Sequence, residues 1–185
     1  QEIIDMMGLA FDLAEKYRTL VFVAGDGALG QMMESAELPT MQPVRTERPD
    51  WAVTGNAGRE SRVITSLYLD PEQLEKLNLH LQRKLAVIKA NEVRWQEYQT
   101  GDAELLLIAY GTVGRICLSV MREARQQGLK VGLLRPQTLW PFPEEELERH
   151  LHGVRRVLVP ELNRGQVRLE VERIVKGRAE VVGVH

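Results

Sequence analysis

The chain has 185 residues, 44% of them hydrophobic and 27% charged, an ordinary balance for a folded domain with a core of its own. A net charge of −2 and an aromatic share of only 5% argue against nucleic acid and acidic membrane surfaces as partners. No apolar run approaches the ~20 residues that span a bilayer, no charged-then-apolar leader opens the chain, and the single cysteine, Cys117, cannot form an internal disulfide or hold an iron–sulfur or thiolate zinc site, so a reducing, cytoplasmic setting is expected.

The first region, residues 1–38, opens inside a helical pattern, with Ile3, Met7, Phe11 and Ala14 recurring at helical spacing. The apolar run Leu20–Ala24 has the length of a buried parallel strand. One such strand cannot cover its own faces, so its sheet partners are expected upstream of Gln1, and both chain ends read as cuts in a longer polypeptide. The turn Gly25-Asp26-Gly27 leads into a short helix. Asp26 suits a cap or turn former better than a metal ligand, because no second carboxylate stands at useful spacing.

Residues 39–92 read as a connector followed by a long helix. A stretch rich in Pro, Gly and Arg gives way to Asp70-Pro71-Glu72-Gln73, with Asp70 at the N-cap, Pro71 in the first turn and Gln73 where a capping box places its acceptor. Leu74, Leu77, Leu81, Leu85 and Ile88 mark one face, and the helix is expected to run from Pro71 to about Asn91. The following VRWQEY fits either a helical continuation or an edge strand.

Residues 93–185 alternate strand and helix: AELLLIAY, a helix with Val113, Ile116, Cys117, Val120, Met121 and Ala124 on its apolar stripe, KVGLLRP, EEELERHL, RRVLVPEL, a helix opened by Asn163, and EVVGV. This βα alternation predicts an α/β fold, a mostly parallel, doubly wound sheet covered on both faces by helices.

The turn Gly111-Thr112-Val113-Gly114-Arg115 joins a strand to a helix N-terminus, where backbone amides favour an anion and Arg115 could pair with it. Gly111, Thr112, Gly114 and Arg115 are therefore the candidate cofactor-binding residues. The alternative is structural: Gly111 permits the turn, Thr112 caps the helix and Gly114 allows close packing. The dinucleotide and P-loop glycine patterns are absent. Trp140-Pro141-Phe142-Pro143 is a rigid apolar turn that serves either as an interface anchor or as a plug for the sheet. His150 and His152 suit a helix terminus better than a metal pair. Arg155 and Arg156, and Arg45, Arg48, Arg59 and Arg62 of the connector, read as solvated faces or inter-subunit ion pairs, with a site for the phosphates of coenzyme A as the alternative. Cys117 reads as a small buried hydrophobe. No catalytic residue and no metal ligand set is visible.

DAELLLIAYGTVGRI (102–116), GLKVGLLRPQTLWPFP (128–143) and RRVLVPELNRGQ (155–166), in this order and spacing, resemble the transketolase C-terminal domain of the α-type subunits of 2-oxoacid:ferredoxin oxidoreductases. AFDLAEKYRTLVFVAGDGALGQMME (10–34) resembles the last helix and strand of that family's pyrimidine-binding domain. AYGTVGRI and LRPQTLWPFP are most similar to the 2-ketoisovalerate branch. The resemblance implies a three-layer α/β/α domain preceded by the tail of a pyrimidine-binding domain and a long connecting helix, with VRWQEY as an antiparallel first strand. It implies oxidative decarboxylation of a 2-oxoacid with coenzyme A, thiamine diphosphate and Mg in the full complex, iron–sulfur clusters on other subunits, ferredoxin as electron acceptor and an oligomeric assembly. The residues that activate thiamine diphosphate in the family would precede Gln1, so this chain is expected to support assembly rather than catalyse alone. A stand-alone nucleotide- or coenzyme-binding module and a non-catalytic interaction domain are the alternatives.

Overall fold

The computed structural model describes residues 1–41 and 46–184. The chain divides into two compact units, Gln1–Ala24 with Met33–Ala86, and Gly25–Met32 with Val87–His185.

In the first unit, helix α1 spans Glu2–Tyr17 and ends on Arg18, whose left-handed backbone (φ 45°) turns its amide back to the last carbonyls. The Gln1 side chain clips residue 37 to the start of α1, donating to the Glu37 carbonyl at 3.1 Å and accepting from the Glu37 amide at 2.8 Å. The segment Leu20–Ala24, expected as a strand, forms none, and Leu20 and Phe22 are 81% and 86% exposed. A strand exists only through a ladder with a neighbour, and no other described segment pairs with this one.

Helix α2 spans Gly27–Gln31 and helix α3 spans Pro71–Asn91. The expected start of α3 holds: Pro71 is its first residue, and Asp70 Oδ1 accepts from the Glu72 amide at 2.9 Å.

The second unit is built on a five-stranded sheet in the order β1-β3-β2-β4-β5, with β1 Trp95–Tyr98, β2 Leu105–Ile108, β3 Val131–Pro136, β4 Arg156–Pro160 and β5 Glu180–Val184. β1 runs antiparallel to β3, while the β2–β3, β2–β4 and β4–β5 pairs are parallel. VRWQEY is thus the antiparallel edge strand. Helices α4 (Gly111–Gln126), α5 (Glu144–His150) and α6 (Gln166–Val175) connect the parallel strands.

Side chains alternate across each strand, and the alternation separates two cores. Leu106, Ile108, Leu134, Val157 and Val159 pack with Leu147 of α5 and Val167, Val171 and Ile174 of α6. Leu107, Ala109, Val131 and Leu133 pack with Cys117 and Met121 of α4. The fold is therefore α/β, a mostly parallel sheet with helices on both faces. On α4 only part of the expected stripe is inward, since Ile116 and Val120 remain 56% and 51% exposed. Arg125, near the end of α4, gathers the β1–β2 turn, bonding Asp102 through both terminal nitrogens (3.0 and 2.7 Å) and the carbonyls of Gln99 and Val131 at 2.7 Å each.

Candidate functional site

The chain passes from β2 to its neighbour β3 through α4 and then back across β2 to β4 through α5, so the direction of winding reverses between β2 and β4. Outside the carboxyl ends of those two strands, parallel α/β sheets open a crevice where ligands bind. Here the crevice is bordered by the N-termini of α4 and α6, and it contains the Gly111–Arg115 residues singled out from sequence, Asn163, read there only as a helix opener, and Tyr110 and Glu161, which were not singled out.

The α4 side carries Gly111, Thr112, Gly114 and Arg115. Gly111 is the first helical residue and holds φ +56°, a conformation that L side chains rarely adopt. Gly114 is packed so closely that a Cβ there would lie 3.2 Å from the Ala109 carbonyl and 3.2 Å from Nε of Arg135. Thr112 is the second helical residue, and its amide donates to Asp26 Oδ2 at 3.3 Å. Asp26 Oδ1 accepts from the Leu29 amide at 2.8 Å and so caps α2. The bond from Leu29 first, and Thr112 after it, hold the Asp26 carboxyl below its ordinary range. An incoming anion at this helix end must compete with a carboxylate already there. Arg115 is exposed on the first turn.

The α6 side is organised by Tyr110, Glu161 and Asn163. Glu161 directly follows β4 and is 3% exposed, yet both of its oxygens are satisfied by the amides of Val167 (3.0 Å) and Arg168 (2.9 Å). Asn163 Oδ1 accepts from the amides of Gly165 and Gln166 at 2.8 and 3.1 Å, closing a turn ahead of the helix, which begins at Gln166. Its Nδ2 donates to the Tyr110 hydroxyl at 3.0 Å, and that hydroxyl stands 3.5 Å from Glu161 Oε2. Burial, with the Glu161 charge adding to it, pushes the Tyr110 hydroxyl above its ordinary pKa. The sequence signal for this cluster is an acid immediately after a strand, then Asn-x-Gly ahead of a helix, a pattern that composition and glycine spacing overlook.

Beside Tyr110 opens a cleft of about 490 Å³ with Leu139, Trp140, Phe142 and Val167 on its apolar walls. The WPFP turn divides its labour, because Phe142 is 5% exposed and fills the core while Trp140 is 55% exposed at the cleft. Charges at the rim are mutually paired: Glu144 with Lys89 (2.8 Å) and Arg173 (3.0 Å), and Arg173 with Glu170 (2.6 Å).

The remaining candidates lie away from the crevice. His150 pairs with Glu97 at 2.6 Å, Arg155 stands 3.7 Å from Glu104, and Arg156 bonds Glu180 at 2.6 Å. In the connector, Arg59 and Arg62 bond the carbonyls of Glu60 and Ala52, each at 2.8 Å, while Arg45 and His185 lie outside the described residues. Cys117 is buried, and burial pushes its thiol up. Among the described residues no group of three or more His, Cys, Asp or Glu is arranged to hold a metal, and no helix is long and apolar enough to cross a membrane. The crevice contains an acid–hydroxyl–amide network of Glu161, Tyr110 and Asn163.

Comparison with known proteins places these features in context. The family "Pyruvate:ferredoxin oxidoreductase core domain II" matches residues 103–185, the part that contains the crevice. Ketoisovalerate oxidoreductase subunit VorB of Methanothermobacter thermautotrophicus is 42% identical over 98% of this chain and 51% of its own length. 2-Oxoglutarate synthase subunit KorA of Methanothermobacter marburgensis is 32% identical over 98% of this chain and 55% of its own length. The chain thus spans about half the length of the curated relatives it matches. Among solved structures, a 2-oxoglutarate:ferredoxin oxidoreductase from Magnetococcus marinus, with 2-oxoglutarate, coenzyme A and succinyl-CoA bound, aligns over 63% of this chain and 21% of its own, at 19% identity and a TM-score of 0.52. That likeness supports the fold.

Proposed function

We propose, since this chain is an α-subunit region of the 2-oxoacid:ferredoxin oxidoreductase family, that it forms the structural α/β part of a branched-chain 2-oxoacid oxidoreductase. In that enzyme a 2-oxoacid of the ketoisovalerate type is oxidatively decarboxylated onto coenzyme A, and ferredoxin takes the electrons. The observation that carries the branch is graded identity: 42% to a ketoisovalerate oxidoreductase subunit, 32% to a 2-oxoglutarate synthase subunit and 25% to a pyruvate synthase subunit.

In this reading thiamine diphosphate supplies the carbanion chemistry, and this chain's residues build the scaffold around it. The crevice does not fit the cofactor's diphosphate. The helix N-termini that would receive phosphate oxygens carry Asp26 and Glu161 instead, and a second anion beside a carboxylate is opposed by like charge. The carboxylate–amide network instead fixes the ends of β2 and β4 and the start of α6, leaving the Trp140 cleft as the apolar surface toward other subunits. The iron–sulfur clusters belong to those subunits.

The test is an assay of the full-length subunit assembled with its partners, reading ferredoxin reduction with coenzyme A and each of ketoisovalerate, 2-oxoglutarate and pyruvate. Ketoisovalerate is expected to give the highest kcat/KM, and preference for either of the others overturns the branch. Thermal unfolding of the 185-residue chain alone with thiamine diphosphate and Mg²⁺, coenzyme A or NAD(H) is expected to show no shift. A ligand at 100 times its Kd would contribute about 2.7 kcal/mol, and such a shift with NAD(H) would favour a dinucleotide-binding module.

A further inference from the structure

We propose that Asp26 is a latch: a single carboxylate caps two helices at once and so fastens residues 25–32 onto the sheet unit, and that segment disengages as one piece when the carboxylate is lost.

Its geometry is specific. One oxygen accepts from the Leu29 amide at 2.8 Å, three residues on, and the other from the Thr112 amide at 3.3 Å, 86 residues away. Gly111 lies alongside: a Cβ built there would make ordinary van der Waals contact with the same Oδ2, at 3.4 Å, and it is the backbone φ of +56° that favours glycine at this position. A side chain longer than a methyl at that position would meet the carboxylate.

Among the described residues, few other ties hold the segment. Helix α2 has five residues and none of them is buried. The other backbone bonds there are local, Gly30 to the Asp26 carbonyl and Met32 to the Leu29 carbonyl. No strand or helix flanks it, because residues 20–26 and 32–41 carry neither. A five-residue helix is too short to persist on its own hydrogen bonds, so the shared cap governs both its formation and its docking. The Thr112 amide is one of the orphan donors of α4. The latch therefore satisfies one amide at the start of each helix with one group.

The test is hydrogen–deuterium exchange on the whole 185-residue chain, comparing the native sequence with Asp26→Ala and Asp26→Asn. Asp26→Ala is expected to raise exchange on the order of tenfold or more both in residues 25–32 and at the first amides of α4, with β2 and β4 unchanged. Asp26→Asn keeps a neutral cap and is expected to fall between. Faster exchange confined to 25–32, with the α4 amides unmoved, overturns the proposal and leaves Asp26 a local cap. Faster exchange spread evenly over all five strands also overturns it, making Asp26 a general stability element.

Discussion

Residues 105–108 lie between β3 on one side and β4 on the other, with Leu106 and Ile108 wholly buried against one helical layer and Leu107 against the other. Residues 20–24 read LVFVA, no less apolar, yet they make no ladder and leave Leu20 and Phe22 almost fully in solvent. The difference lies in what each segment is offered. Apolar content supplies a driving force of about 25 cal/mol per Å² buried, but only paired amides and covering helices allow that area to leave water. β2 receives both from within residues 87–185.

The contrast can be broken most directly by matched truncations. Leu106→Ala empties a site with no exposed surface and is expected to cost about 2–5 kcal/mol. Phe22→Ala, a larger deletion at an exposed position, is expected to stay within about 0.5 kcal/mol. Urea unfolding of the 185-residue chain measures both, and a Phe22 effect rivalling that of Leu106 would show that residues 20–24 bury their side chains in solution.

A second probe sharpens the role of the crevice. Glu161→Ala strands one buried and one partly buried amide at the start of α6 and is expected to cost about 1–3 kcal/mol. Tyr110→Phe removes the hydroxyl that links Asn163 to Glu161 and should cost less. In a double-mutant cycle the two losses should fall short of additivity, as they do within one network. Full additivity would separate Tyr110 from the carboxylate.

The sheet unit was legible from sequence because its signals agree: short apolar runs with alternating faces, helical stripes between them, and a regular spacing that predicts a parallel winding. VRWQEY resolved as a strand only through family resemblance, since Trp95 continues the seven-residue spacing of Leu74, Leu81 and Ile88 while Val93 and Trp95 also alternate as an edge strand would. Three points were not legible. Glu161, Tyr110 and Asn163 are brought together by strand order, which local pattern does not encode. Asp26 reads as a cap, but its second partner is 86 residues away. Leu20–Ala24 has a strand's composition, and composition is silent about where a ladder partner is.

Acid should reveal the polar ties of the sheet unit. Hydrogen bonding from Arg125 holds the Asp102 carboxyl below its ordinary value near 3.8, and the bond from Lys89 does the same for Glu144. A folded-state pKa below the unfolded one adds stability that is present above the unfolded value and lost as pH falls through the folded one. The stability curve should therefore fall below about pH 4, and Asp102→Asn should flatten that acid limb. An unchanged acid limb in the variant would remove the Arg125–Asp102 pair from the account.

The smallest expected effect separates the inner and outer halves of one helix. The stripe read on α4 includes Ile116 and Val120 with Cys117 and Met121, but only the latter pair reaches the core beneath the sheet. In the isolated chain, Ile116→Ser and Val120→Ser are expected to change stability by no more than about 0.5 kcal/mol each. Met121→Ala, on the same helix, should cost about 2–5 kcal/mol. Equal losses at all three sites in urea unfolding would mean that α4 rolls inward in solution and buries its whole stripe. The expected inequality would instead show that the periodicity of α4 encodes more apolar surface than this sheet covers.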